Sequence, residues 1–225
     1  MITRSLTLAG TVAAVLACGA LTASAAGPVN LSTGHVDVLD VEYADGVLGL
    51  HVHDESVVPD VEYDPAAVVL QALPASQATV PSGSQYAFLG APGAATWILP
   101  QLQSQNLLWP GISGEHLATG VFQNDRVTVR LTGAQRDTNG DGVGDTSARF
   151  AVYSDNGGSI TKYFDSSDGV NPLVDARTVL AGSHDHANWA FGAAGDYILK
   201  FQAVGTLANG TGVSSAVLTY RFHVG

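Results

Sequence analysis

The sequence predicts an all-β protein: an antiparallel β-sandwich or jelly-roll-like single domain that follows an export signal. Two observations carry this. Apolar residues recur with period two in run after run, as in Val127, Val129 and Leu131 set against Thr128 and Arg130, the pattern of half-buried strands rather than of helices. The runs are short and are separated by Gly, Pro, Asn and Asp; 26 glycines and 9 prolines supply the turns that so many strands require. A hydrophobic share of 46% against 13% charged residues is enough to build a core and excludes a disordered chain.

The first segment is a targeting signal. Arg4 precedes an apolar stretch from Leu6 to Leu21, and Ala23-Ser24-Ala25 is an A-x-A cleavage sequence. Residues 1–25 are therefore read as a signal peptide and 26–225 as the domain, secreted or held at the extracellular cell envelope. The single cysteine, Cys18, lies inside this segment, so the domain has no disulfide and no thiol chemistry. Val15-Leu16-Ala17-Cys18-Gly19 also resembles a lipobox, which would make the protein a lipoprotein through Cys18. No C-terminal anchor or sorting sequence is expected from Phe222-His223-Val224-Gly225.

Within the domain, Gly34 to Tyr43 reads as a strand, Ala44-Asp45-Gly46 as a turn, and Val47 to His53 as the returning strand of a hairpin. An acidic loop from Asp54 to Asp64 follows, then a strand at Ala66 to Ala72. Tyr86 to Leu89 and Ala95 to Leu99 are short apolar runs, and Gln101 to Ser113 reads as irregular because it contains Trp109-Pro110-Gly111. Glu115 and His116 open a short segment of about one helical turn. Further strands are expected at Arg126 to Leu131, Arg149 to Tyr153, Ser159 to Phe164, Arg177 to Leu180, around Trp189, at Tyr197 to Ala203, and at Val213 to Val224.

Function is carried by histidines. A net charge of −11 excludes a nucleic-acid binder, which needs a basic footprint. Four of the seven histidines form two His-x-His pairs, His51 with His53 and His184 with His186. On a strand, residues two apart share a face, so each pair can offer two imidazoles to one ion. His35 opens the strand that pairs with His51 and His53, and Asp37 follows as a ligand or as an orienter of a histidine. The expectation is one transition-metal site from His51, His53, His184, His186 and His35, with nitrogen and oxygen donors only. Zinc suits this set, and copper fits the same donors. The bland alternative is that the histidines are solvated strand residues.

A second cation loop is suggested by Asp137-Thr138-Asn139-Gly140-Asp141-Gly142-Val143-Gly144-Asp145. Asp137, Asn139, Asp141 and Asp145 occupy positions 1, 3, 5 and 9 of an EF-hand-type loop, with Gly at position 6. Ala148 stands where the twelfth-position Glu belongs. Calcium is the expected ion; an Asx-rich turn is the competing reading. Trp97 and Trp109 are candidates for a carbohydrate-binding groove, or for core and loop anchors. A zinc hydrolase would need three ligands, an open position and a base such as Glu55 or Glu115. The chain has no H-E-x-x-H or G-x-S-x-G sequence, so no enzyme is expected.

The chain resembles the actinobacterial surface-anchored repeat proteins, the choice-of-anchor M domain family. The resemblance rests on Gly34-His35-Val36-Asp37-Val38, Leu50-His51-Val52-His53 and Leu107-Leu108-Trp109-Pro110-Gly111. It rests further on His184-Asp185-His186-Ala187-Asn188-Trp189-Ala190-Phe191 and Thr219-Tyr220-Arg221-Phe222-His223-Val224-Gly225. The H-x-H-x-N-W-x-F signature is the most specific of these. The resemblance implies a cell-envelope protein of the kind commonly encoded beside a metal-type ABC transporter and its binding protein, and it brings no established enzymatic activity to carry over. It also implies a C-terminal anchor, which the last residues do not show. The function expected is thus metal capture or delivery at the cell surface, the alternative being a surface adhesion, scaffold or carbohydrate-binding sandwich with structural histidines.

Overall fold

The computed structural model describes residues 27–225. The expected signal segment, with its expected cleavage after Ala25, and Cys18 lie outside the described residues. Within them no helix is long and apolar enough to cross a membrane.

The chain forms β1 (Val29–Leu31), then β2 (Gly34–Ala44) and β3 (Val47–Asp54) as one hairpin. Asp45 and Gly46 make its two-residue turn with φ of 51° and 81°, the pair of positive values that lets a tight turn follow the twist of its strands. Next come β4 (Val61–Tyr63), β5 (Val68–Ala72), β6 (Gln77–Thr79) and β7 (Ala95–Leu99). The apolar run around Tyr86 is a 3-10 segment, Ser84–Leu89, and not a strand. Leu108–Ser113 is β8, a strand where the sequence suggests irregular chain. Pro110 and Gly111 read as breakers, yet the strand holds because β2 and a later strand flank it. The rest are β9 (Phe122–Asp137), β10 (Thr146–Ser147), β11 (Phe150–Asn156), β12 (Ser159–Asp165), β13 (Ala176–Leu180), β14 (His184–His186), β15 (Asn188–Phe191), β16 (Gly195–Leu207), β17 (Gly212–Ser214) and β18 (Leu218–Val224).

Among the described residues the strands make three sheets and no closed barrel, an all-β sandwich-like single domain. The largest runs β1-β5-β18-β16-β9-β10, with β13 added on β9 and β17 on β16. A second runs β12-β11-β15-β7-β6, and a third β14-β8-β2-β3-β4. The aromatic side chains Phe150, Trp189, Phe191, Phe201, Tyr220 and Phe222 are fully buried and pack together between them. Burying such rings contributes about 1.5–3 kcal/mol each, so this cluster is a large part of what holds the sheets together.

The H-x-H-x-N-W-x-F signature lies where the chain changes sheets. His184–His186 pairs with β8 in the third sheet. Asn188–Phe191 pairs with β7 and β11 in the second. Ala187, buried between them, is the corner. Trp189 and Phe191 thereby anchor the segment in the core while the histidines stand on the neighbouring sheet.

Candidate metal centre

A β-bulge builds the face that carries the site. Asp37 lies opposite His53 and Asp40 opposite His51, so two residues of β2, Val38 and Leu39, oppose Val52 alone. Without the bulge, residues three apart would point to opposite faces. With it, His35, Asp37, Asp40 and Glu42 all share one face. Gly111 and Ser113 lie beside Asp37 and Asp40 on one side, and His186 and His184 lie beyond them. His51 and His53 complete the face on the other side. The opposite face carries Val36, Val41, Leu50, Val52 and Ile112, all in the core.

Three imidazoles converge on this face. Nε2 of His35 is 3.0 Å from Nε2 of His184, which is 3.1 Å from Nε2 of His186. The outer nitrogens fix the tautomers. His186 Nδ1 donates to the carbonyl of Pro110 at 3.0 Å; a carbonyl only accepts, so the neutral ring has a bare Nε2. His35 Nδ1 faces Glu55 Oε2 at 2.6 Å, and His184 Nδ1 faces Glu115 Oε2 at 3.1 Å. Carboxylates also accept, so all three Nε2 lone pairs turn toward one point. Lone pairs so placed repel unless a cation sits among them. Donor atoms around a tetrahedral zinc with bonds of about 2.0–2.1 Å lie roughly 3.3 Å apart, close to the observed spacing.

Asp37 is the candidate fourth donor, set against two of the three imidazoles. Its Oδ1 approaches His35 Nε2 at 3.3 Å and His184 Nε2 at 3.2 Å. Neither approach is aligned as a hydrogen bond, and both carboxylate oxygens are buried without a hydrogen-bond partner. The residue has no exposed surface. An ionised carboxylate in that state costs several kcal/mol unless a positive charge meets it. Gly111 makes the space: a Cβ there would collide with Asp37 Oδ1 and lie 3.2 Å from His184 Nε2.

The electrostatics follow from these contacts. His35 is held above the usual imidazole range by the Asp37 carboxylate close beside it; burial opposes this, and Glu55 adds to the rise. His186 goes the other way, to about 4, because burial removes it from water and the neighbouring imidazoles disfavour its charge, against the favourable Pro110 carbonyl. Trp109 holds the His186 ring, stacked at 3.5 Å between centroids and tilted by 7°. The indole N–H donates to the Gln101 carbonyl at 3.0 Å, and the Gln101 N–H donates to Asn188 Oδ1 at 2.9 Å. Asn188 of the signature and Trp109 of β8 thus brace His186. Trp109 is occupied by His186 and His35 rather than lining an open sugar groove, and Trp97 is packed against the core.

No protein-family model, curated protein or solved structure matches this chain. The site is therefore read from its own geometry.

The remaining expected ligands fall elsewhere. Of the five histidines assigned to one ion, His35, His184 and His186 meet, while His51 and His53 do not join them. His51 stands between Glu42, 3.5 Å from its Nε2, and Glu62, 3.1 Å from its Nδ1. His53 bonds Asp60 Oδ2 at 2.9 Å and groups with Asp40 and His116. Glu55 and Glu115, weighed from sequence as hydrolase bases, orient His35 and His184. His116 lies in a turn and not in a helix. His223 pairs with Asp196 at 2.7 Å, outside the ligand groupings of the described residues.

In the acidic loop, Asp137 accepts N–H bonds from Asn139, Gly140 and Gly142. Asp141 accepts from Val143 and Asn139. Asp145 accepts from the N–H and hydroxyl of Thr138. Burial opposes ionisation of Asp137, but the N–H groups outweigh it and hold its carboxyl below the ordinary range. These side chains close the turn itself. Among the described residues, no trio of His, Asp or Glu donor atoms lying within 4.8 Å of one another includes this loop.

Proposed function

We propose that this protein is an exported, cell-envelope metal-binding protein that captures or delivers a divalent transition ion, zinc first and copper second. His35, His184 and His186 bind through Nε2 and Asp37 through Oδ1. One observation carries the reading: three imidazoles with outward nitrogens already engaged turn their bare nitrogens toward one another beside a fully buried carboxylate that has no hydrogen-bond partner. A donor set free of thiolate and built from imidazole and carboxylate suits zinc and also accommodates copper. Four protein donors leave no open position for a substrate, which favours holding an ion over hydrolysis. His35 and His184 keep 19% and 21% of their side chains exposed, so an ion exchanges directly with solvent or with a partner. The resemblance to choice-of-anchor M domain proteins and the sequence signal for export support a partner such as the binding protein of a metal-type ABC transporter.

Elemental analysis of the purified protein tests this. The wild type should hold close to one tightly bound ion per chain through gel filtration. His184→Ala with His186→Ala should lower that to below a tenth while the far-ultraviolet circular dichroism stays that of a β protein. A tight equivalent retained in the double variant overturns the assignment.

A further inference from the structure

The same sheet face carries a second grouping that the trihistidine does not use. Asp40, His53 and His116 each offer a donor atom within 4.8 Å of the others. Asp40 has no exposed surface. Its Oδ2 accepts from His116 Nδ1 at 2.8 Å, but its Oδ1 is buried with no partner. His53 is buried, and its ring lies 5.4 Å from that of His116 between centroids. Asp60, bonded to His53 Nε2, is at hand on the solvent side. A buried carboxylate with one oxygen satisfied and one orphaned is a costly arrangement in a protein alone. It becomes a favourable one when a cation takes up the free oxygen.

We infer that Asp40, His53 and His116 form a second divalent transition-metal site beside the trihistidine. Two imidazoles and one carboxylate leave coordination positions for water, so this ion is held more loosely than the first. His116 is the exposed donor, with 42% of its side chain accessible; it meets an arriving ion before the buried pair does. The two sites are neighbours. Glu55 contacts His35 through one oxygen and lies 3.8 Å from His53 through the other. Asp37, a donor of the first site, is in register with His53. The outer site is thus a loading position next to the inner one. Glu42, His51 and Glu62 form a further, more exposed grouping. It has no buried orphan oxygen, so it makes no comparable claim.

This inference rests on different side chains from the trihistidine and stands or falls separately. The test is a zinc titration of chelator-stripped protein by calorimetry, with ions counted by mass spectrometry at saturation. The wild type should take two equivalents, the second at least tenfold weaker. His116→Ala and Asp40→Asn should each leave one tight equivalent. His186→Ala should lose the tight equivalent and keep the weak one. His116→Ala, altered at an exposed position, keeps the result readable if Asp40→Asn fails to fold. A wild type saturating at one equivalent overturns the second site. So does a His116→Ala protein that still takes two, or loss of the weak equivalent in His51→Ala instead. If His186→Ala changes nothing while His116→Ala removes an ion, the trihistidine fails and the second site survives.

Discussion

At the scale of single residues, the site depends on which nitrogen of each histidine carries the proton. Burial keeps His186 neutral at and well below pH 7, while Asp37 and Glu55 make His35 the easier ring to protonate. A metal needs the bare nitrogen, so the His35 proton is the first competitor as pH falls. Zinc affinity should therefore begin to fall as pH drops through the raised His35 value, above about 6.5, and not near 4. Zinc titrations of the metal-stripped protein at stepped pH check this; an affinity unchanged down to pH 5 would contradict it. The metal-free protein titrates separately. His186 binds its proton near 6.5 when unfolded but only at about 4 when folded. The unfolded state therefore takes up more protons between those values, and this contribution to stability is lost as pH falls from 6.5 towards 4. The raised His35 and His116 act with the opposite sign, and their contribution is already complete below 6.5. At this scale the histidine pairs were legible in the sequence, but only one pair converges. Alpha carbons two apart on a strand are roughly 6.6 Å apart, so a shared face does not guarantee a shared point. His184 and His186 lean together, whereas His51 is drawn to Glu42 and Glu62 and His53 to Asp60.

At the scale of elements, the bulge in β2 and the glycine in β8 matter most. Period-two reading gave both strands of the hairpin and its Asp-Gly turn. It could not give the bulge, because an extra residue shows only against its partner strand. Asp40 therefore escaped notice as a companion of Asp37. The strand β8 escaped because Pro110 and Gly111 look like a turn until β2 and β14 are placed on either side. Gly111 is required by the carboxylate above it. Gly111→Ala should push Asp37 out of position, weaken zinc binding at least tenfold and destabilise the fold by about 1–3 kcal/mol, the usual cost of overpacking. Calorimetry and denaturant melts read the two effects. Unchanged affinity would mean that Asp37 is not a donor.

At the scale of the molecule, all-β architecture was readable because alternation and turn residues are local signals. The division into three sheets was not, since it depends on which distant strands pair. The parallel contact of β2 with β8, for example, leaves no mark in either segment. The ligands join the first folded hairpin to a strand near the end of the chain, so an ion that binds only the folded form stabilises the whole. At a free zinc concentration one hundred times the dissociation constant the gain is about 2.7 kcal/mol. For a domain of this size that corresponds to a rise in Tm on the order of 5–10 °C. Differential scanning calorimetry with and without chelator measures it, and the rise should vanish in the His184→Ala, His186→Ala variant.

The separation of 149 positions between His35 and His184 has a consequence for biosynthesis. A nascent chain that has not yet emitted its last quarter possesses only one of the three imidazoles. Under the proposed function, the trihistidine site therefore stays incomplete while the chain is being made. That site would fill only where His184 and His186 have folded against His35, so the compartment of folding would dictate which metal it meets.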